Sequence, residues 1–257
     1  MTADIEVSKS GGAQILRLMR TAKKNALTGA MYAALCDAIE TGDDDDAVAA
    51  HVILGSGGVF SAGNDLGDFL TIARGTADLG KDVLRFIHLL PVIRKPLIAA
   101  VDGAAIGIAT TMLFHCDLVY ATHDATFATP FLDLGLIPEA ASSLLMPLRM
   151  GYARAFEMLA LGETFTAERA LSAGFVNRIV ASDDLEATAM DAAHRLAEKP
   201  PEALAVTRRL MRGTPGEVLK IINEEVVAFR ERLSSPEAQE AFVAFFEKRP
   251  ANFRKPV

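Results

Sequence analysis

The sequence predicts an α/β protein that ends in a helical region. Short apolar runs, closed by Gly or Pro, alternate with helical stretches as far as Val180, and from Ser182 onward the pattern is helical alone. A chain of 257 residues, 51% apolar and 23% charged, suits one large domain or a main domain with an appendage, and is far from a disordered composition.

The elements follow in order. Ala13-Gln14-Ile15-Leu16-Arg17-Leu18 partly alternates, like a half-buried strand. Thr28 is placed to cap a helix whose Met31, Leu35 and Ile39 fall on one face. That helix is expected to dissolve at Gly42 and the acidic run Asp43 to Asp46. Four adjacent Asp side chains cannot converge on a cation as alternating ligands do, so a solvated turn is expected there. His51 to Leu54 reads as a buried strand ending in Gly55-Ser56-Gly57-Gly58. A second βα unit starts with Pro96 to Val101, breaks at Gly103 and continues as a helix over Ile106 to His115. Leu118 to Tyr120 and Ala125 to Phe127 read as strands joined by a polar turn. Thr166 caps a helix that stops at Gly174, and Phe175 to Val180 is a further strand. Leu185, Ala189, Ala192 and Leu196 share one helix face, Pro200-Pro201 punctuates, and Ser235-Pro236 is an N-cap and N1 pair. The tail helix carries Phe242, Val243, Phe245 and Phe246, which suggests a partner element or subunit as readily as core packing.

Composition narrows the function. The formal net charge of −7 argues against nucleic acid and anionic membranes as partners, since both call for clustered Lys and Arg. Two cysteines, Cys36 and Cys116, form no disulfide framework and no zinc pattern, which fits a reducing cytoplasm. No apolar run reaches the roughly 18–20 residues of a membrane helix, and Met1 to Asp4 lacks the features of a signal peptide.

Two segments carry a family signature. One is Gly58-Val59-Phe60-Ser61-Ala62-Gly63-Asn64-Asp65-Leu66. The other runs from Lys95 through Val101-Asp102-Gly103-Ala104-Ala105-Ile106-Gly107 to Cys116-Asp117. With Asn25-Ala26-Leu27 near the start, and Phe246-Glu247-Lys248-Arg249 and Phe253 near the end, the chain resembles the crotonase, or enoyl-CoA hydratase/isomerase, family along nearly its whole length. The resemblance implies a spiral core of ββα units over residues 1–197 and a C-terminal helical trimerisation region over 198–257. It further implies coenzyme A thioester substrates, no separate cofactor or metal, and a homotrimer or dimer of trimers. It assigns the backbone N–H groups of Asn64 and Ile108 to an oxyanion hole, with the N-terminus of the following helix adding its positive end. Ser61, Ala62, Gly63, Asn64, Asp65 and Leu66 are expected to contact CoA, with Asp65 chiefly bracing the loop, and Lys248 to meet its phosphates. The position of a second phosphate lysine in some relatives is Gly67 here.

The acid/base residues separate the reactions. Hydratases hold a water between two carboxylates, and the matching positions here are Thr111 and Phe131. One candidate stays in the region: Glu139, in Pro138-Glu139-Ala140-Ala141-Ser142-Ser143. Peroxisomal-type 3-enoyl-CoA to 2-enoyl-CoA isomerases carry a glutamate in this context, and a single base can move a proton from C2 to C4. Burial among small residues would favour its neutral form. Asp133 is a competitor, whereas His88 and His115 read as structural. Another crotonase-type acyl-CoA enzyme, hydratase or dehalogenase-like, or a non-catalytic acyl-CoA binder, is the alternative. Phe69, Leu70, Leu84, Phe86 and Phe131 are candidates for an acyl wall or for core.

Overall fold

The computed structural model describes residues 4–65 and 80–254. A six-stranded sheet runs in the order β1-β2-β3-β4-β6-β9. Its strands are β1 (Ile5–Ser10), β2 (Ala13–Leu18), β3 (Ala50–Leu54), β4 (Leu97–Val101), β6 (Leu118–Thr122) and β9 (Arg178–Val180). The β1–β2 pair is an antiparallel hairpin, and the other pairings are parallel. β3 and β4 are buried at every residue, which explains their unbroken apolar text. A second sheet joins β5 (Ala104–Ile106), β7 (Thr126–Ala128) and β8 (Phe165–Thr166).

Helices cover both faces of the larger sheet. Helix α1 (Gly29–Asp44) has its Thr28 hydroxyl accepting from the Met31 amide. It buries Met31, Leu35 and Ile39 in the cluster that holds Leu16, Leu18, Ile53, Ala99 and Val101. The alternate strand residues Val52, Leu54, Ile98 and Ala100 belong to the opposite face, with Leu185, Ala189, Ala192 and Ala193 of α7 (Ser182–Ala197). Truncating Leu35, fully buried, to Ala is expected to cost about 2–5 kcal/mol, read as a lower denaturation midpoint at unchanged m-value. The other helices are α2 (Lys81–Leu89), α3 (Ile108–Thr111), α4 (Ser142–Met150), α5 (Tyr152–Leu159) and α6 (Ala167–Ala173), followed beyond α7 by α8 (Pro201–Arg212), α9 (Pro215–Leu233) and α10 (Pro236–Glu247).

Several local expectations are corrected. The stretch from Ile106 to His115 is not one helix: β5 ends at Ile106, Gly107 turns, α3 spans a single turn, and Met112–His115 is 3-10. Leu118 to Tyr120 and Ala125 to Phe127 do match strands joined by a turn, β6 and β7, and those strands lie in different sheets. The strand after Gly174 shrinks to Arg178–Val180, since the Asn177 side chain takes the Val119 amide at its start. The acidic run is not a solvated turn throughout. α1 continues through Asp44, and the Asp43 carboxylate is buried, accepting from His51 Nε2 (3.0 Å) and from the amides of Arg94 (2.8 Å) and Lys95 (3.0 Å). Burial pushes the Asp43 pKa up, yet these hydrogen bonds hold it below the ordinary value. The stabilisation it contributes is therefore present at neutral pH and lost as pH falls through the acidic range.

Candidate active site

The site begins where two loops meet at the ends of β3 and β4. Ser61 donates its amide to the Ala104 carbonyl and accepts from the Ile106 amide, both at 3.0 Å, so the first loop adds to the edge of β5. The Ala62 amide bonds to the Lys24 carbonyl, the Leu27 amide to the Gly63 carbonyl, and the Asp65 amide to the Leu27 carbonyl. The amides of Asn64 and Ile108 take no part in this lacing among the described residues. Two glycines make the approach possible. Gly63 has φ +84°, and a Cβ there would stand 2.5 Å from the Ile106 carbonyl oxygen of the second loop. Gly107, at φ +59°, turns the chain into α3 so that Ile108 is its first residue.

Side chains brace the first loop from behind. Asn25, fully buried, donates Nδ2 to the Ser56 (2.9 Å) and Val59 (2.8 Å) carbonyls. The Ser61 hydroxyl donates to the Asn25 carbonyl and accepts from the Gly63 amide. Arg20 ties Asp65 (2.7 Å) to the Ala26 carbonyl, which gives Asp65 a bracing role. The Tyr32 hydroxyl donates to Asn64 Oδ1 in a short hydrogen bond. Burial first, then the neighbouring Glu139, pushes the Tyr32 pKa well above its ordinary value, so it stays a neutral donor. Tyr32→Phe is expected to lower kcat about tenfold at nearly unchanged Tm, because Asn64 loses its anchor. Steady-state kinetics beside thermal melts checks this.

These loops form one wall of a cavity of about 510 Å3. Ala62, Gly63, Asn64, Ile106, Gly107 and Ile108 line it on one side; Phe131, Asp133 and Leu136 come from the segment after β7, and Phe229, Phe242, Phe245 and Arg249 from α9, α10 and beyond. Of the expected CoA contacts, Ser61 is fully buried with its hydroxyl used inside the loop, and Leu66 lies outside the described residues. Lys248 is exposed at the C-cap of α10, and its neighbour Arg249 lines the cavity instead, bonded to Glu240 and Glu247. In the sequence Arg249 stands out only as part of Phe246-Glu247-Lys248-Arg249. Among the acyl-wall candidates Phe131 lines the cavity, while Phe86 belongs to the core beneath Tyr32 and Leu84 packs against it. Phe69 and Leu70 fall outside the described residues.

Glu139 is not in the described cavity wall, but it follows Leu136 on the same loop and sits near the Tyr32 hydroxyl. It is 8% exposed and its Oε1 has no hydrogen-bond partner. A buried carboxyl oxygen without a partner is rare in a protein interior. Burial, with a smaller contribution from Glu225, pushes its pKa up to about 8. Asp133 does line the cavity, but it is exposed. Thr111 and Phe131, both buried, offer no carboxylate for a bound water. His115 is structural: Nε2 bonds the Ala140 carbonyl at 2.7 Å, and burial lowers its pKa to about 4. His88 bonds the Leu84 carbonyl and Asn223. Among the described residues no group of three or more His, Cys, Asp or Glu could hold a metal, and no helix is long and apolar enough to cross a membrane.

A parallel-stranded spiral that brings two amide-bearing loops together over an apolar cavity defines the crotonase class. Residues 8–256 match the profile described as enoyl-CoA hydratase/isomerase, and the chain belongs to that family. It is 37% identical over 251 residues to enoyl-CoA delta isomerase 2 of Rattus norvegicus, covering 96% of this chain and 64% of that protein. The chain thus spans a little under two thirds of that relative. It is 33% identical to the peroxisomal enoyl-CoA delta isomerase 3 of Mus musculus, covering 94% and 78% respectively. It is also 32% identical to a 4-chlorobenzoyl coenzyme A dehalogenase of Arthrobacter, covering 87% and 83%. A crystal structure described as an enoyl-CoA hydratase/isomerase from Pseudoalteromonas atlantica superposes with a TM-score of 0.92 at 40% identity, covering 97% of this chain and 99% of that one.

Proposed function

We propose that the chain is an isomerase that moves the double bond of a 3-enoyl-CoA thioester to the 2-position. The observation that carries this reading is a buried carboxyl, Glu139, with one oxygen lacking a hydrogen-bond partner, close to an oxyanion-type loop where the hydratase positions hold no carboxylate. Ionised Glu139 takes a proton from C2, and the electron pair spreads over C2, C4 and the thioester oxygen as a dienolate. The amides of Asn64 and Ile108 donate to that oxygen, and the start of α3 adds its partial positive charge. Protonated Glu139 then returns the proton to C4, so the reaction is redox-neutral and regenerates the base. No separate cofactor enters, since coenzyme A is part of the substrate. In this reading the first loop, with Lys248 and Arg249, holds the CoA portion. The names of the rat and mouse relatives support the same chemistry.

The same reading makes the chain a homotrimer or dimer of trimers. Leu148, Tyr152, Leu210 and Met211, each at least 73% exposed, offer apolar surface for it. Sedimentation at micromolar concentration checks this, and a monomer would overturn it.

Purified protein given a 3-enoyl-CoA should raise the absorbance of the conjugated 2-enoyl thioester. Chloride release from 4-chlorobenzoyl-CoA without that rise would place the chain with its dehalogenase relatives instead. Binding of acyl-CoA with neither reaction would make it a non-catalytic binder.

A further inference from the structure

The loop that carries Glu139 is built in a costly conformation. Ala140 and Ala141, neither of them glycine, sit in the left-handed region at φ +57° and +55°. Alanine is strained in this region, where its Cβ crowds the backbone, so something outside the loop must hold the two residues. Three groups do so. The Ser142 amide closes the turn on the Glu139 carbonyl at 3.0 Å, and His115 takes the Ala140 carbonyl. The third is Glu225, which reaches in from α9 and is 7% exposed. Its Oε2 accepts from the Ala141 amide at 2.6 Å, and its Oε1 accepts from the Ser143 amide at 3.1 Å and from the Ser143 hydroxyl. A carboxylate brought from another helix thus caps α4 at the residues immediately after Glu139.

We propose that Glu225 is a positioning residue for Glu139, clamping the Ala140–Ala141 turn so that the Glu139 carboxyl points to the reacting carbons. The inference deepens the isomerase reading and rests on it for its kinetic consequences. The titratable groups facing Glu139 are Tyr32 of α1, Glu225 of α9 and, through the Ala140 carbonyl, His115. His115 stays neutral through the working range, so among these groups Glu225 is the one that brings charge near the base. Burial raises the Glu225 pKa against the pull of its three hydrogen bonds.

The test uses Glu225→Gln and Glu225→Ala in the full chain. Gln keeps the size and one acceptor oxygen, so it is the variant expected to fold; if the Ala variant does not, the Gln variant alone decides. The first readout needs no turnover: the stability difference between the parent and its Glu139→Gln counterpart, followed from pH 4 to pH 9, reports ionisation of Glu139. Introducing Glu225→Gln should move the midpoint of that difference down by about one pH unit. The second readout is kinetic: Glu225→Ala should lower kcat tenfold or more at nearly constant KM, with partial rescue in Glu225→Gln, and the rising limb of kcat/KM should shift down. An unmoved midpoint in a folded Glu225→Gln variant overturns the proposal, since a merely structural cap would lower Tm alone. If the parent shows no isomerase turnover, the functional reading falls while the stability readout still decides on Glu225.

Discussion

Glu139→Gln is expected to abolish double-bond migration while making the fold more stable at alkaline pH. Removing a general acid/base ordinarily costs 10²–10⁴-fold, and no second buried carboxyl stands in this segment to replace it. The stability effect follows from linkage. The Glu139 carboxyl titrates near 8 in the folded chain against an ordinary value of 4.5. Below pH 4.5 it is protonated in both states and carries no penalty. Between 4.5 and 8 the unfolded chain releases the proton and the folded chain keeps it, so stability falls as pH rises, and it levels off above 8. Gln cannot ionise and escapes that slope. The melting temperature of the variant minus that of the parent should climb across this window, by several degrees in all. In the parent, kcat/KM should rise with pH through the same region. Flat activity between pH 5 and pH 8 would show that Glu139 is not the base, with Asp133, which lines the cavity, the next to examine.

Gly63→Val should be nearly as damaging by a different route. The left-handed φ of +84° strains any side chain there, and the first added carbon lands 2.5 Å from the Ile106 carbonyl oxygen. That oxygen is backbone and cannot swing aside, so the two loops must separate. Their separation misplaces the amides of Asn64 and Ile108 relative to each other. Loss of a single oxyanion donor costs about 10²–10³ in kcat, and a spread pair should cost at least as much. The measurement is kcat together with the affinity for a saturated acyl-CoA, which needs no reaction. A large fall in kcat is expected. A folded variant with parental kcat would remove these amides from the mechanism.

The sequence was most legible where a local rule acts alone. Thr28, Thr166 and Ser235 each cap a helix as their hydroxyls suggest, and Gly174 ends α6 in the left-handed conformation. Legibility failed where a distant partner overrides the local preference. Asp43 reads as solvated because its partners, His51 and the amides of Arg94 and Lys95, come from other elements. The stretch after Gly103 has helical text, yet its first residues are drawn into β5 by Ser61 and β7. In the candidate site, Asn64, Ile108 and Glu139 were legible only through resemblance, whereas Tyr32 and Glu225 were not legible at all. Tyr32 looks like one more apolar residue on the buried face of α1. Glu225 stands 82 residues from the Ser143 it holds, in a helix whose exposed acids hide it.

The opposing walls of the cavity are separated by nearly half of the chain. One wall is complete by Ile108, while Phe229, Phe242, Phe245 and Arg249 follow more than a hundred residues later. During synthesis the earlier part leaves the ribosome first and can pair its strands as it emerges. The nascent chain therefore carries an open apolar trough until α10 arrives to roof it. The roofed cavity forms only after both of its walls have been made, and a chain stalled before Phe229 would display the trough to whatever hydrophobic surface it met.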